Sequence, residues 1–423
     1  MILLLIIADD FTGALDTGVQ FALRGIQTKV VVDPEVDFTS CDAKVLVVDT
    51  ETRHLPSVQA YEIVSKLTTR ALQAGVQSIY KKTDSALRGN IGAELAAVLD
   101  ASGKKQLPFL PAFPQIKRVT QNGIHYIDGT PVTESPFGRD PFEPVRCSAV
   151  TGIIAGQSDL PAKSFPALKA GEQAPDAEGI LVFDGSTLED LKSTGLQLAS
   201  HSMLSISAGC AGFGAVLPDL LGITADRPLR MPQLDPRLLV VCGSVNPITL
   251  AQLDYAENAG FARLRLTPQQ KLEPGYWQTP DGQAQLTAIE EMLAANPCSI
   301  IETNDLGGNQ LTADYADKLG IDLDTLRVRI SGSLGSLVGA LFASPNLGTL
   351  LMTGGDTLLQ CMNCVGVTEL EPICEMEKGV VLASFTYKGC TRHIITKSGG
   401  FGQESLMTDL AEQIAPAACT AVS

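Results

Sequence analysis

The 423-residue sequence has little that would take it into or across a membrane. Its apolar start, residues 1–8, is too short for a bilayer span and lacks the basic residues of a signal peptide, and Asp9 and Asp10 follow at once. We therefore expect neither a signal peptide nor a membrane anchor, and we expect a cytoplasmic location.

Basic residues are scarce relative to acidic ones. The chain has 31 Lys and Arg residues against 47 Asp and Glu residues, which gives a formal net charge of −16 at pH 7. Such a surface repels phosphate backbones and anionic lipid head groups, so we expect no nucleic-acid partner and no membrane partner. A negatively charged small molecule would need a locally basic pocket.

Three familiar catalytic signatures are missing. The sequence contains no P-loop, no Gly-x-Gly-x-x-Gly at a strand-to-helix turn, and no Gly-x-Ser-x-Gly elbow. These absences argue against a P-loop NTPase, a dinucleotide-binding dehydrogenase and an α/β-hydrolase.

Cysteine and histidine form no metal-site pattern. The ten cysteines are scattered, and Cys361 and Cys364 lack a second pair and a nearby histidine. None of the four histidines is spaced as a metal pair, and for His54 and His125 a structural or surface role is favoured. We expect the cysteines to pack in the core and no metal site made by cysteine and histidine side chains.

Alternating short β-branched and longer helical segments dominate the amino-terminal half. They predict strands at 2–8, 29–33, 44–49 and 78–83, helices at 15–24, 58–73 and 91–101, and further strands at 179–183 and 203–207. Residues 106–145 break this pattern with Pro, Gly and aromatic residues, which indicates an excursion with a hairpin around 125–129. The alternation is typical of a parallel sheet flanked by helices.

A proline-rich segment, 226–236, separates this half from a second series of strands and helices that begins at Leu238. We therefore predict an α/β fold of two domains with mainly parallel sheets flanked by helices. The first domain is expected at 1–225, the linker at 226–236 and the second domain at 237–423. A ligand cleft is expected between them, because open parallel sheets bind ligands beyond the carboxyl ends of their strands.

Polar residues follow three predicted strands of the first half. Because these strand ends share one edge of a parallel sheet, the side chains are expected to meet there. Arginine can bind a carboxylate in fork geometry, and aspartates accept hydrogen bonds from sugar hydroxyls. The alternative is that they only cap helices and form turns. The residues concerned are Asp9, Asp10, Arg53, Lys82, Thr83, Asp84 and Ser85.

The turn at Arg88, Gly89 and Asn90 opens the next predicted helix. Its amides and its cation suit an anion. Equally, Asn90 can be a plain helix cap beside a solvated Arg88.

Glycine-rich turns follow the strands of the second half. Glycine lets backbone amides approach phosphate groups closely, and helix N-termini favour negative charge. Asp356 is placed to help organise a Mg²⁺–phosphate group, usually through water, and the sequence does not decide whether side chains bind the ion directly. The residues concerned are Ser244, Gly354, Gly355, Asp356, Thr357, Gly399, Gly400, Phe401 and Gly402.

Five motifs in this order, at 8–14, 82–94, 243–244, 353–357 and 397–402, resemble the four-carbon acid sugar kinase family. The resemblance implies a sugar-acid-binding first domain, a nucleotide-binding second domain, and transfer of the γ-phosphoryl group of ATP to the 4-hydroxyl of the acid. It places Asp9, Arg53 and 82–85 at the substrate, and Ser244, 354–357 and 399–402 at ATP. Asp84 or Asp9 is then the expected catalytic carboxylate.

Within the family the sequence is more similar to the threonate-kinase branch, with erythronate and 3-oxo-tetronate kinases as alternatives. Ala86 and Gly400 depart from the family pattern, in which Thr and Asn are expected. The first departure is expected at the substrate wall and the second at a nucleotide contact. A hydroxy-acid oxidoreductase or isomerase and a non-catalytic sugar-acid sensor remain rival functions. The sequence leaves open whether the chain forms homo-oligomers.

Overall fold

A computed structural model describes residues 2–140 and 143–415, so Cys419 and the end of the predicted second domain lie outside the described residues. The chain divides into two compact units, Met1–Leu229 and Arg230–Ser423. The division falls within the proline-rich segment 226–236.

The first unit is built on a sheet of parallel strands in the order β2-β3-β1-β4-β11-β5-β10-β9. Its strands are β1 (Leu4–Ala8), β2 (Thr28–Val31), β3 (Val45–Asp49), β4 (Ser78–Lys82), β5 (Gln106–Leu110), β6 (Arg118–Gln121), β7 (Ile124–Ile127), β8 (Thr130–Pro131), β9 (Ala162–Phe165), β10 (Gly179–Phe183) and β11 (Ile206–Gly209). Its α-helices are α1 (Phe11–Ala22), α2 (Ser57–Gln73), α3 (Ile91–Ser102), α4 (Val150–Ala155), α5 (Leu188–Ser200), α6 (Ala211–Gly214) and α7 (Leu217–Leu220). Strands β6, β7 and β8 form a small antiparallel sheet in the predicted excursion.

The second unit has a mixed sheet in the order β13-β14-β12-β15-β18-β17-β16. Its strands are β12 (Leu238–Cys242), β13 (Ala262–Arg265), β14 (Cys298–Glu302), β15 (Thr349–Thr353), β16 (Glu369–Glu377), β17 (Val380–Tyr387) and β18 (Cys390–Lys397). Its α-helices are α8 (Pro247–Asn258), α9 (Pro268–Leu272), α10 (Pro280–Ala295), α11 (Gln310–Leu319), α12 (Leu323–Leu341), α13 (Gly355–Val365) and α14 (Leu406–Ile414). The pairings β16–β17 and β17–β18 are antiparallel. The predicted fold class of two α/β domains with mainly parallel sheets is confirmed.

Each unit has its own apolar core beside its sheet. In the first unit, every residue of β1 and β3 is buried, and Ile7 and Val48 pack with Leu95 of α3. In the second, Val240 and Leu351 pack with Leu253 of α8. Strands covered on both faces need continuous apolar runs, which is why these segments are recognisable in the sequence.

Several details differ from the prediction. Helix α1 begins at Phe11, four residues earlier than predicted, because the Asp10 side chain accepts a hydrogen bond from the Gly13 amide (3.2 Å) and caps it. The predicted strand at 203–207 is wrong at its start, since Met203–Ser205 is a 3₁₀ turn and the strand begins at Ile206. The sequence pattern predicts no strand in the stretch that forms β16, β17 and β18. Within 2–140 and 143–415, no helix combines the length and apolar character needed to cross a bilayer.

Candidate functional site

Three parallel strands of the first unit end level with one another. In the register of the sheet, Ala8 of β1 pairs with Asp49 of β3 on one side and with Lys82 of β4 on the other. The polar residues that follow these strands therefore start from one edge, as the sequence predicts. Asp9, Asp10, Arg53, Lys82 and Asp84 gather there, and we call them the charged cluster.

Arg53 is at the centre of the charged cluster. Its Nε donates to Oδ2 of Asp9 at 2.7 Å, its Nη2 lies 2.6 Å from Oδ1 of Asp10, and Asp84 is 3.9 Å away. The side chain is only 9% exposed. The guanidinium predicted to bind a substrate carboxylate is thus already held by protein carboxylates.

Lys82 is held less closely. Its Nζ lies 3.7 Å from Oδ1 of Asp9 and 3.8 Å from Oδ1 of Asp10, distances that suit charge attraction but exceed those of hydrogen bonds. Burial would lower the pKa of Lys82, but the charges of Asp9 and Asp10 raise it. Within the part of the chain that the structure describes, this ammonium makes no hydrogen bond, so its three donors suit an incoming oxygen.

The two predicted catalytic carboxylates are both ionised at neutral pH. Burial would raise the pKa of Asp9, but Arg53, Lys82 and Lys81 outweigh burial and lower that pKa to about 2. Burial likewise would raise the pKa of Asp84, and the positive charges of Arg88 and Arg53 hold that pKa well below its usual range. Both groups are therefore hydrogen-bond acceptors.

Thr83, Ser85 and Ala86 differ in what they contact. The Thr83 hydroxyl is fully buried and donates to the Gly209 carbonyl oxygen (3.4 Å), while the Ser85 hydroxyl accepts from Arg118. Ala86 packs in an apolar cluster with Val132 and other residues of the excursion. The expectation that Ala86 lines the substrate wall stays a prediction. Substrate contacts of Thr83 and Ser85 stay predictions.

Sequence reasoning singled out Arg88 but missed its pairing with Asp84, and it missed Arg118. Arg88 Nε donates to Oδ2 of Asp84 at 2.8 Å, and Arg88 Nη1 pairs with Oδ2 of Asp140 at 3.2 Å. The guanidinium carbons of Arg88 and Arg118 lie 5.1 and 4.9 Å from the centre of the Phe137 ring. The sequence offered only Arg118 and Phe137 in the excursion as a sign of this arrangement. It did not show which strand end the excursion covers.

The plain-cap alternative for the turn at 88–90 is wrong. Arg88 is paired rather than solvated. The side-chain amide of Asn90 donates to the carbonyl oxygens of Thr52 (2.8 Å) and Leu55 (2.7 Å) instead of capping α3. Asn90 thereby ties the start of α3 to the segment that carries Arg53. Its carbonyl oxygen accepts a hydrogen bond from the Glu94 amide (3.0 Å) at the start of α3, but its side chain supports the cluster segment instead of capping the helix.

His54 and His125 lie near these residues. His54 Nδ1 is 2.5 Å from Glu143, and His125 Nε2 is 2.9 Å from the Ser85 carbonyl oxygen. Burial lowers the pKa of His125 to about 4, so this ring is neutral at physiological pH. The contacts of His125 are those of a structural residue.

A fully buried ion pair supports the end of β4. Lys81 Nζ is 3.0 Å from Oε2 of Glu94 on α3, and it also donates to the carbonyl oxygens of Ile7 (3.1 Å) and Lys82 (2.9 Å). The Thr52 hydroxyl donates to the other Glu94 oxygen. This pair fastens three segments that carry the charged cluster, and the sequence had no signal for it beyond two charges in apolar surroundings.

In the second unit, four strand ends share an edge. Cys242 of β12 pairs with Thr353 of β15, and Thr353 pairs with Lys397 of β18. Three glycine-rich turns follow these strands, and we call 243–247 the first turn, 353–357 the second and 398–402 the third. β14 ends on the same edge, and the Asn304 amide that follows it donates to the Ser244 carbonyl oxygen (3.1 Å).

The turns approach one another closely enough that side chains are excluded at their glycines. A Cβ on Gly399 would lie 3.0 Å from the Ser244 hydroxyl, and a Cβ on Gly243 would overlap the Thr357 hydroxyl. Gly354 has a φ of 109°, which favours glycine, and α13 begins at the next residue. The predicted nucleotide residues 244, 354–357 and 399–402 thus lie on one edge.

Asp356 and Phe401 have protein partners of their own. Asp356 is 3.4 Å from the Arg327 Nε, and the Phe401 ring packs on Gly379. Among residues 2–140 and 143–415, no group of three or more His, Cys, Asp or Glu side chains is placed to hold a metal ion. Cys361 is buried on α13, where it packs as expected.

Comparison with known proteins assigns a separate family domain to each of the two units. Residues 4–217 match the model of a sugar-binding N-terminal domain, and residues 239–407 match that of a nucleotide-binding C-terminal domain. A D-threonate kinase of Salmonella typhimurium is 29% identical over 422 residues, covering 96% of this chain and 97% of its own. The chain belongs to the four-carbon acid sugar kinase family.

Other members of this family are similar over nearly their whole length. A D-threonate kinase of Bordetella bronchiseptica is 28% identical, covering 97% of this chain and 96% of its own. A 3-oxo-tetronate kinase of Methylobacterium radiotolerans is 26% identical, covering 94% and 95%. The family therefore includes enzymes named for different four-carbon acids.

Solved structures share the fold. A Salmonella typhimurium LT2 protein named as a tRNA synthase has a TM-score of 0.78 at 19% identity, covering 97% of this chain and 98% of its own. A Haemophilus influenzae protein has a TM-score of 0.70 at 18% identity, covering 97% and 99%. At such identities the likeness concerns the fold alone.

Proposed function

We propose that this protein transfers the γ-phosphoryl group of ATP to the 4-hydroxyl of a four-carbon sugar acid, and that the acid is D-threonate. The charged cluster is the observation that carries the proposal. It places a buried ammonium with unused donors, Lys82, next to the ionised carboxylate of Asp9. A polyhydroxy acid offers the complementary groups, since its carboxylate can bind the cation and its hydroxyls can donate to the carboxylate.

Asp9 suits the catalytic role better than Asp84. Both oxygens of Asp84 accept hydrogen bonds from Arg88, whereas Oδ1 of Asp9 accepts none from the described residues. We propose that Asp9 accepts a hydrogen bond from the attacking hydroxyl and thereby orients it. Asp84 orients the acid through the arginines around it. Phosphoryl transfer depends mainly on positioning, so a carboxylate of low pKa suffices as an orienting group.

For the nucleotide, we propose that the amides of the three turns and the start of α13 bind the phosphate groups of ATP. Mg²⁺ would arrive with the nucleotide and offset charge on its phosphates, and Asp356 would contact it through water. We therefore propose that the domain 1–225 binds the acid and the domain 237–423 binds ATP, with residues 226–236 as the linker that joins them. The cleft between the domains and the cytoplasmic location stay predictions.

The substrate is tested by ADP release with D-threonate, L-threonate, D-erythronate and their 3-oxo counterpart, each at several concentrations. We expect kcat/KM for D-threonate to exceed that for every other acid by about tenfold or more. A preference for another of these acids would contradict the substrate assignment. ADP release from none of them, by protein that binds ATP, would contradict the kinase proposal.

The roles of the carboxylates are tested by Asp9→Asn and Asp84→Asn. We expect Asp9→Asn to lower kcat by about a hundredfold or more and Asp84→Asn mainly to raise KM for the acid. Neither should change ATP affinity measured by calorimetry. Equal kcat in Asp9→Asn and the unmodified protein would remove Asp9 from the proposal.

A further inference from the structure

Four lysines are buried in the described residues, and one of them differs from the rest. Lys81 pairs with Glu94, Lys82 lies near two aspartates, and Lys271 pairs with Asp305 at 2.5 Å. Lys397 is 1% exposed, and no carboxylate of the described chain lies within 4 Å of its ammonium. A buried charge without a counter-ion is costly, so an anion is expected near this position.

The ammonium of Lys397 instead contacts oxygens at the third turn. It donates to the Thr249 hydroxyl and to the carbonyl oxygens of Ser398 and Gly399, each at 3.1 Å. The Thr249 hydroxyl in turn donates a hydrogen bond to the Gly399 carbonyl oxygen (2.8 Å). Burial lowers the pKa of Lys397 to about 8, so the side chain is protonated at neutral pH and all three donors are used.

A second side chain of α8 extends this arrangement. Gln252, one turn after Thr249, donates from Nε2 to the carbonyl oxygens of Phe401 (3.0 Å) and Gln403 (2.9 Å). Lys397, Thr249 and Gln252 therefore hold four carbonyl groups of the third turn and its continuation. We call these three side chains the brace.

The brace determines where the amides of the third turn point. The described chain contains no cis peptide, and in a trans peptide the N–H points opposite to the carbonyl of the preceding residue. With the carbonyls of 398, 399 and 401 directed to the brace, the N–H groups of Gly399, Gly400 and Gly402 are directed away from it. None of these three amides donates to another group of the described chain.

We infer that Lys397, Thr249 and Gln252 are positioning residues, which turn the amides of Gly399, Gly400 and Gly402 toward the phosphate groups of the nucleotide. This inference rests on the proposed function. The nucleotide phosphates are also the anion that would offset the uncompensated charge of Lys397. All three side chains of the brace belong to the second unit, so we expect their effect in nucleotide binding rather than in binding of the acid.

Thr249→Val tests the brace because it replaces the hydroxyl with a methyl group of similar shape. We expect ATP to bind about tenfold more weakly by calorimetry, which corresponds to a loss of about 1.4 kcal/mol. Adenosine affinity and KM for D-threonate should change by less than about twofold. Thr249→Ser should restore ATP affinity, and Thr287→Val, which removes a hydroxyl from the exposed face of α10, should leave it unchanged.

Two results would overturn the inference. One is Thr249→Val protein that binds ATP as tightly as the unmodified protein, and the other is an equal loss for ATP and adenosine, which would indicate general damage to the unit. If Thr249→Val does not fold, Gln252→Met provides the same comparison with the same expectations. Failure of the unmodified protein to bind ATP would overturn both the inference and the proposed function. That case differs from failure of the inference alone, in which the unmodified protein binds ATP and Thr249→Val binds it equally well.

Discussion

Gly13 allows the most direct test of the charged cluster. It lies in the first turn of α1, where an added Cβ would come 2.2 Å from Nζ of Lys82 and would also overlap the Asp10 carboxylate. Both obstacles are the ends of side chains rather than backbone. Gly13→Ala should therefore displace the two charged groups and leave the fold in place.

The size of the effect follows from the displacement. Ordinary contact with a Cβ begins at 3.4 Å, so the Lys82 ammonium must retreat by roughly 1 Å. A misplacement of about 1 Å at a reacting centre can cost about a hundredfold in rate. Alanine is a better helix former than glycine by up to about 1 kcal/mol, which offsets part of the strain in the free energy of unfolding.

The assay is ADP release with D-threonate, together with urea unfolding and ATP calorimetry. We expect kcat/KM for the acid to fall by about a hundredfold, with the free energy of unfolding within about 1 kcal/mol of its original value. Gly156→Ala is the matched control, because its Cβ would meet only atoms at 3.5 Å. Folded Gly13→Ala protein with an unchanged kcat/KM would refute the argument that the Lys82 position matters.

Three further outcomes are expected. The folded pKa of Asp9, about 2, lies below its ordinary value of 3.8, so its ionisation contributes roughly 2 kcal/mol of stability above about pH 4, which is lost as the pH falls toward 2. In urea titrations, the difference between the unmodified protein and Asp9→Asn should shrink below pH 4. Lys81→Met should lower the free energy of unfolding by about 3 to 5 kcal/mol, because it leaves Glu94 buried without its cation, and Lys81→Met with Glu94→Gln should lose less. Gly243→Ala should raise KM for ATP about tenfold by displacing Thr357, with KM for the acid unchanged.

These outcomes have controls and contrary results. A pH-independent difference for Asp9→Asn would contradict the ionised state assigned to that carboxylate. A double variant of Lys81 and Glu94 less stable than Lys81→Met alone would show that the remaining charge is not the cause. Gly332→Ala, where a Cβ meets nothing within 4 Å, is the control for Gly243→Ala, and an equal rise in KM for both would contradict the role of Thr357.

Much of the fold was predictable from local patterns. The predicted strand at 179–183 coincides with β10, and the predicted helix at 58–73 differs from α2 by one residue. The strand is a continuous apolar run, and the helix has clear amphipathic periodicity with Gly75 shortly after its end. The start of α1 was misplaced because its cap, Asp10, also serves the charged cluster. The strands β16 to β18 were missed, and β16 in particular has bulges that break a simple alternation of buried and exposed residues.

The sequence alone determined most of the order of strands and helices and the residues at several strand ends, because apolar runs and turn residues act over a few positions. It therefore also indicated that Asp9, Lys82 and the three turns lie on sheet edges. Only the tertiary structure decided which charges pair: Arg53 with Asp9 and Asp10, and Lys397 with carbonyl oxygens instead of a carboxylate. Such pairing depends on distances of a few ångströms between residues far apart in the chain. Burial then strengthens the effect of each neighbouring charge on the pKa, because buried charges are screened less by water.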